Sequence, residues 1–127
     1  GIRCIRNADW KRGLASSLAV GMRAVLDDTD CGAALVLLAD QAFVDGAALA
    51  SIIARFDEDN RLVASSYDGV IGVPALFARE HLEDLTSLEG DAGAGAWLRG
   101  RTDSVTRVPL EKAALDIDNP SDQALLQ

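Results

Sequence analysis

No stretch of this sequence is long and apolar enough to suggest a membrane span. The longest uninterrupted apolar run extends from Ala33 to Ala39, far short of the roughly 18 residues a spanning helix needs. Positive charge is also scarce: 12 Lys and Arg stand against 20 Asp and Glu, a formal charge of −8. With no Lys/Arg cluster the chain offers no basic face for a phosphate backbone, which argues against nucleic acid as a partner. The two cysteines, Cys4 and Cys31, have neither a zinc-site spacing nor the number for a disulfide framework. They read as reduced thiols of a cytoplasmic protein. Also missing are the charged-then-apolar profile of a secretory signal, any Ser/His/Asp order or Cys/His pair, and any phosphate loop with its lysine. Nucleophilic hydrolases therefore have no support. No repeat, low-complexity tract or linker divides the chain.

What is present suits one domain, or a piece of one: 127 residues with 49% apolar content can fill a core. Ile2 to Arg6 alternates apolar and polar residues, which predicts a short strand. A helix follows, with Ser16 or Ser17 as its cap and Leu18, Met22, Val25 and Leu26 at helical spacing. Ala33 to Ala39 is apolar on both parities, as in a strand covered on both faces, and is expected to be the central strand. Asp45 stands where a helix cap belongs, before Leu49, Ile52, Ile53 and Phe56. Arg61 to Ser66 reads as a strand and Tyr67-Asp68-Gly69 as a turn. Val73 to Phe77 is apolar but holds Pro74, which predicts an edge or irregular segment. Short helices are expected over 78–85 and 92–98, a strand over 104–108, and a final helix over 120–126 capped by Asn119. Alternating strands and helices imply an α/β layer fold with a largely parallel sheet, whose ligands sit beyond the carboxyl ends of its strands.

Several residues could carry chemistry. Asp40 ends the most apolar run, where its carboxylate either caps a turn or, with substrate phosphate oxygens, holds a hard cation. Asp116-Ile117-Asp118 places two carboxylates on one parity, a solvent-facing turn or a metal-holding pair. Gly13-Leu14-Ala15-Ser16-Ser17 is a plain helix start or one whose glycine, hydroxyls and unpaired amides meet an anion or heterocycle. The Gly69 to Pro74 and Glu89 to Gly93 segments are Gly-rich turns. His81 reads as part of a solvated helix face, Trp97 and Phe77 as core anchors.

Five blocks in order, 7–18, 37–41, 67–77, 88–94 and 116–122, resemble the MobA-like nucleotidyltransferase family, within it the molybdenum cofactor cytidylyltransferases. The resemblance implies a Rossmann-like, three-layer nucleotide-diphospho-sugar transferase fold. It also implies transfer of CMP from CTP, or GMP from GTP, onto the terminal phosphate of molybdopterin, with release of pyrophosphate. Asp40 and Asp118 would be the catalytic magnesium ligands. Gly13, Ser16 and Ser17 would contact the nucleotide, and Gly72, Pro74 and Asp91 would line the acceptor side. A molybdenum hydroxylase is the implied receiving enzyme. Three departures stand out: Ala42 where the family has proline, Leu14 where it has methionine, and no amino-terminal Gly-rich loop with Arg and Lys to hold the triphosphate. Residues 1–127 are thus expected to be the carboxy-terminal portion of a single nucleotidyltransferase domain. The expected missing part is a leading strand-loop-helix unit of about 30 or more residues, supplied by the same protein or a separate chain. The fragment alone is expected to be inactive. The alternative is a non-catalytic accessory that binds a pterin or nucleotide for molybdoenzyme maturation.

Overall fold

Two neighbouring stretches buried on both faces over most of their length, 62–67 and 70–78, build the middle of the sheet. The computed structural model describes residues 2–41 and 44–110, so the predicted helix over 120–126 and the Asp116/Asp118 pair lie outside the described residues. The elements are α1 (Leu14–Asp27), β1 (Ala33–Val36), α2 (Gly46–Arg55), β2 (Leu62–Tyr67), β3 (Val70–Ala78), α3 (Leu82–Thr86), α4 (Ala94–Arg99) and β4 (Thr106–Pro109). Short 3-10 turns cover Trp10–Arg12, Arg79–His81 and Thr102–Ser104.

The described sheet runs β1-β3-β2-β4. Alternate residues face opposite layers. Ala34, Leu62, Ala64, Ala75 and Phe77 pack against Met22 of α1, Leu82 and Leu85 of α3, and Trp97 and Leu98 of α4. Ala33, Leu35, Val63, Leu76 and Val108 face Ile52 of α2 and Phe56. The result is the three-layer α/β arrangement expected from the sequence. Phe77 meets Trp97 edge-on at 5.8 Å, so both are the core anchors their pattern suggested.

The pairing directions differ from expectation. β3 is antiparallel to both neighbours, and only β2 with β4 is parallel. Asp68 and Gly69 adopt φ of 51° and 74°, a two-residue left-handed turn that suits a hairpin, and so short a connection permits only an antiparallel pair. β3 and β2 are the two interior strands, whereas β1 ends at Val36 and lies at the end of the described sheet. Pro74 is tolerated inside β3 because the ladder skips it. Ala64 pairs with Ala75 and Ser65 with Gly72, leaving Val73 and Pro74 without β2 partners, and the β1 pairing stops at Ala75. The missing proline N–H is never required.

Residues 2–6 form no strand among the described residues, and Ile2 is 95% exposed. α1 starts at Leu14 behind Gly13, so Ser16 and Ser17 lie inside the helix instead of capping it. Asp45 does cap α2, its carboxylate accepting from Ala48 N–H at 2.9 Å. Arg79 closes the other end of α1. Its guanidinium donates to the carbonyl of Leu26 in the last turn of α1, which a helix carboxyl end otherwise leaves without a partner, and to those of Asp28 and Cys31 in the loop that follows.

The start of β2 is tied to the turn after β3 by Arg61, which forks onto the two Glu80 oxygens at 2.8 and 3.0 Å. That hydrogen bonding is the main reason the Glu80 carboxyl falls from 4.5 to about 2. A lowered folded-state value stabilises the protein above the unfolded value, and the contribution is lost as pH falls from about 4.5 towards 2. The side chains are 39% and 49% exposed, so solvent screening holds the pair below about 1 kcal/mol. Urea midpoints at about pH 6 and pH 3 should therefore drop further for the wild type than for Glu80→Gln. Equal drops would show that the pair contributes nothing.

Candidate functional site

Where β3 departs from its ladder, buried side chains meet its carbonyls. Ser65 Oγ lies 3.0 Å from the Gly72 carbonyl and 2.7 Å from that of Pro74, with one hydroxyl proton to share between them. Gln41 Nε2 donates to the Val73 carbonyl at 2.9 Å, and its Oε1 accepts from Leu38 N–H at 3.2 Å. Gln41 is 5% exposed and Ser65 fully buried. One amide side chain thus bolts the turn after β1 to β3. Gln41 N–H also donates to the Leu38 carbonyl, closing the turn that carries Asp40. Asp40 itself is exposed.

Beyond the carboxyl end of β1 lies a cavity of about 500 Å³ between α1, β3 and the start of α4. Leu18, Met22, Val36 and Val73 give it an apolar lining, while Ser17, Tyr67, Asp91 and Arg99 supply polar groups. The location is the one expected for a ligand in an α/β sheet. Its width is set partly by glycine. Gly72 leaves room for the Tyr67 hydroxyl, which would stand 2.6 Å from a Cβ at that position.

The start of α1 and the 88–91 loop are locked together. Ala15 N–H donates to the Gly90 carbonyl at 3.0 Å. Gly13 has φ of 112°, and a Cβ there would strike that carbonyl and stand 2.8 Å from Asp91 Oδ1. Only glycine fits both the left-handed backbone and the close approach.

Of the residues singled out in the sequence, Ser17, Gly72 and Asp91 line the cavity, and Gly13 abuts Asp91. The others are placed differently. Ser16 Oγ bonds with Asn7 and with the carbonyls of Asp9 and Gly13, beside a separate polar groove that also holds Arg12 and Glu89. Pro74 is fully buried and forms no part of the cavity wall. Asp40 lies past Leu38, outside the lining, and Asp118 lies outside the described residues. Two helix-start amides expected to await an anion have internal partners, Ala15 N–H on Gly90 and Ser16 N–H on Gly13. No group of three or more His, Cys, Asp or Glu suited to a metal occurs among the described residues.

Sequence reasoning missed Tyr67, Arg99 and the double role of Gln41. A buried glutamine gives no local signal, since its partners lie 3 and 32 residues away. Arg99 gave none either, being an exposed arginine at the end of a six-residue helix. His81 is half-buried against Trp97, with ring centres 5.6 Å apart, instead of facing solvent. Both described cysteines are free thiols. Cys31 donates to Asp28 Oδ2, and that bond pushes the thiol up, away from reactive thiolate.

Replacing Gln41 with Leu strands the Val73 carbonyl and the Leu38 amide. The substitution should lower the unfolding free energy by about 1–3 kcal/mol in urea titration. An unchanged midpoint would show that water or rearrangement satisfies both groups.

The chain matches the model of the MobA-like NTP transferase domain family over residues 1–107. It is similar to the crystal structure of Rv0371c from Mycobacterium tuberculosis H37Rv, with 25% identity and a TM-score of 0.69 over 88% of this chain. It is also similar to the homologue of that protein from Mycobacterium sp. strain JC1, with 27% identity and a TM-score of 0.65 over 87% of this chain. The chain spans 58% and 55% of those two structures, a little over half of each. No curated protein matches it significantly.

Proposed function

Since the chain belongs to the MobA-like NTP transferase family, we propose that it forms the carboxy-terminal part of a nucleotidyltransferase domain. The proposed reaction moves CMP from CTP, or GMP from GTP, onto the terminal phosphate of molybdopterin. A phosphate oxygen of the acceptor bonds to the α-phosphorus, the α–β bridge breaks, and pyrophosphate leaves. The observation that supports this reading is the cavity past β1. There the segments carrying Ser17, Leu38, Gly72 and Asp91, distant in sequence, share one wall.

Phosphoryl chemistry of this kind asks the protein for positioning and charge neutralisation more than for a covalent nucleophile. Ser17 would contact the nucleotide, and Asp91 with Gly72 would line the acceptor side. Gly13 keeps α1 pressed against the Asp91 loop. Asp40 and Asp118 would hold magnesium, which supplies charge neutralisation for the phosphates. The donor chemistry fits at Asp40, because magnesium is commonly held by one or two carboxylates together with waters and substrate phosphates, and this carboxylate is exposed on a turn that Gln41 clamps. A further segment of the enzyme, bearing the basic loop that grips the triphosphate, completes the proposal.

The complete protein should release pyrophosphate from CTP when molybdopterin and magnesium are present. An assay across the four nucleoside triphosphates identifies the nucleotide used. Asp40→Asn should lower turnover by roughly a hundredfold or more. Undiminished turnover would remove Asp40 from this role, and no pyrophosphate from any of the four would overturn the reading.

A further inference from the structure

Positive charge is scarce in this chain and also unevenly spread. Residues 2–26 hold five of the 12 Lys and Arg against a single acid, Asp9, while the other seven stand among 19 acids. Two of those five, Arg12 in the turn before α1 and Arg23 within α1, line the polar groove of about 460 Å³ between α1 and the 86–90 segment. Both side chains are exposed. Among the described residues neither guanidinium has an ion-pair or hydrogen-bond partner, although Asp9 and Glu89 line the same groove. The other side-chain donors there are committed internally. Asn7 Nδ2 donates to the Ser16 and Ser17 hydroxyls, Ser16 Oγ lies on the carbonyls of Asp9 and Gly13, and the Thr86 and Ser87 hydroxyls donate to the Glu83 carbonyl. An incoming ligand therefore meets two guanidiniums, each with five N–H donors.

We propose that this groove is a docking site for an acidic segment of a partner protein, held by Arg12 and Arg23. The spacing selects the ligand. From Leu14 to Arg23 the helix advances nine residues, about 14 Å along its axis, so the two cations address two anionic groups in preference to one. An extended segment places residues four apart at about 13 Å, and each carboxylate then matches the planar fork of one arginine. Asp9 and Glu89 repel a ligand charged along its whole length, so the segment carries neutral residues between its acids. Two cations are also far fewer than the roughly 6–10 phosphate contacts by which proteins commonly hold a nucleic-acid backbone. The groove lies apart from the cavity past β1, so docking there does not compete with the nucleotidyltransferase site.

Fluorescence anisotropy on the complete protein at low salt tests the proposal, with a labelled synthetic peptide whose two glutamates stand four residues apart among Gly and Ser. The peptide should bind, weaken as salt is raised, and lose its binding when both glutamates are glutamine. Arg12→Ala and Arg23→Ala should each weaken it roughly three- to tenfold, with the lysine variants recovering part of the loss. Pyrophosphate release from CTP should be the same in both alanine variants as in the wild type. No binding to the wild type, or equal binding by the wild type and the double alanine variant, overturns the proposal. An oligonucleotide of the same charge that binds as tightly as the peptide overturns the choice of an acidic protein segment. Loss of pyrophosphate release in step with peptide binding would place the two arginines in the nucleotide machinery and overturn the docking role.

Discussion

Three consecutive carbonyls in the middle of the sheet, those of Gly72, Val73 and Pro74, constrain everything around them. Val73 and Pro74 sit outside the β2 register, and a buried carbonyl left without a donor costs about 1–3 kcal/mol. Against a total stability of roughly 5–15 kcal/mol for a domain, two such losses would matter. The chain answers with two buried donors from opposite sides, Ser65 from β2 and Gln41 from the turn after β1. Because Gln41 also accepts from Leu38, satisfying the strand fixes the turn. The irregularity in β3 is therefore coupled to the position of Asp40 and to the cavity wall formed by Leu38, Gly72 and Val73.

Features governed by near neighbours were legible in the sequence. Asp45 as a cap, the helix containing Ile52, the strand of β2, and the burial of Phe77 and Trp97 all follow from a few residues of context. So did the α/β layering, from β1 being apolar on both parities and from the alternation of strands and helices, while the three-layer form was what the family resemblance implied. Pairing direction was less accessible. The Asp68-Gly69 dipeptide is a strong hairpin signal, yet the α/β alternation favoured parallel strands and masked it. Pro74 misled for the related reason that a proline excludes a central strand only where its N–H is needed.

The site was legible in part. Ser17, Gly72 and Asp91 line one cavity, whereas Ser16 does not, because one position along a helix turns a side chain to another face, and Pro74 is carried off the wall where β3 leaves its register with β2. Arg79 shows the same limit from the structural side. It closes the end of α1 from 53 residues beyond Leu26, and nothing local to either segment announces that contact. Tertiary hydrogen bonds between distant polar groups are what the linear pattern fails to encode.

An overall acidic chain is a poor general partner for anions, which raises the question of how this fold would take a phosphorylated ligand. Net charge governs long-range approach, and at physiological salt its reach is only about 8 Å. Carboxylates farther than that from a ligand in the cavity walled by Leu18, Met22 and Val73 are largely screened, so direct hydrogen bonds at short range count for more than the total charge. Surface acidity then acts as a filter instead of a bar. It opposes polyanions such as nucleic acid, whose charges extend over many residues, and acts far less on a small ligand held within the cavity.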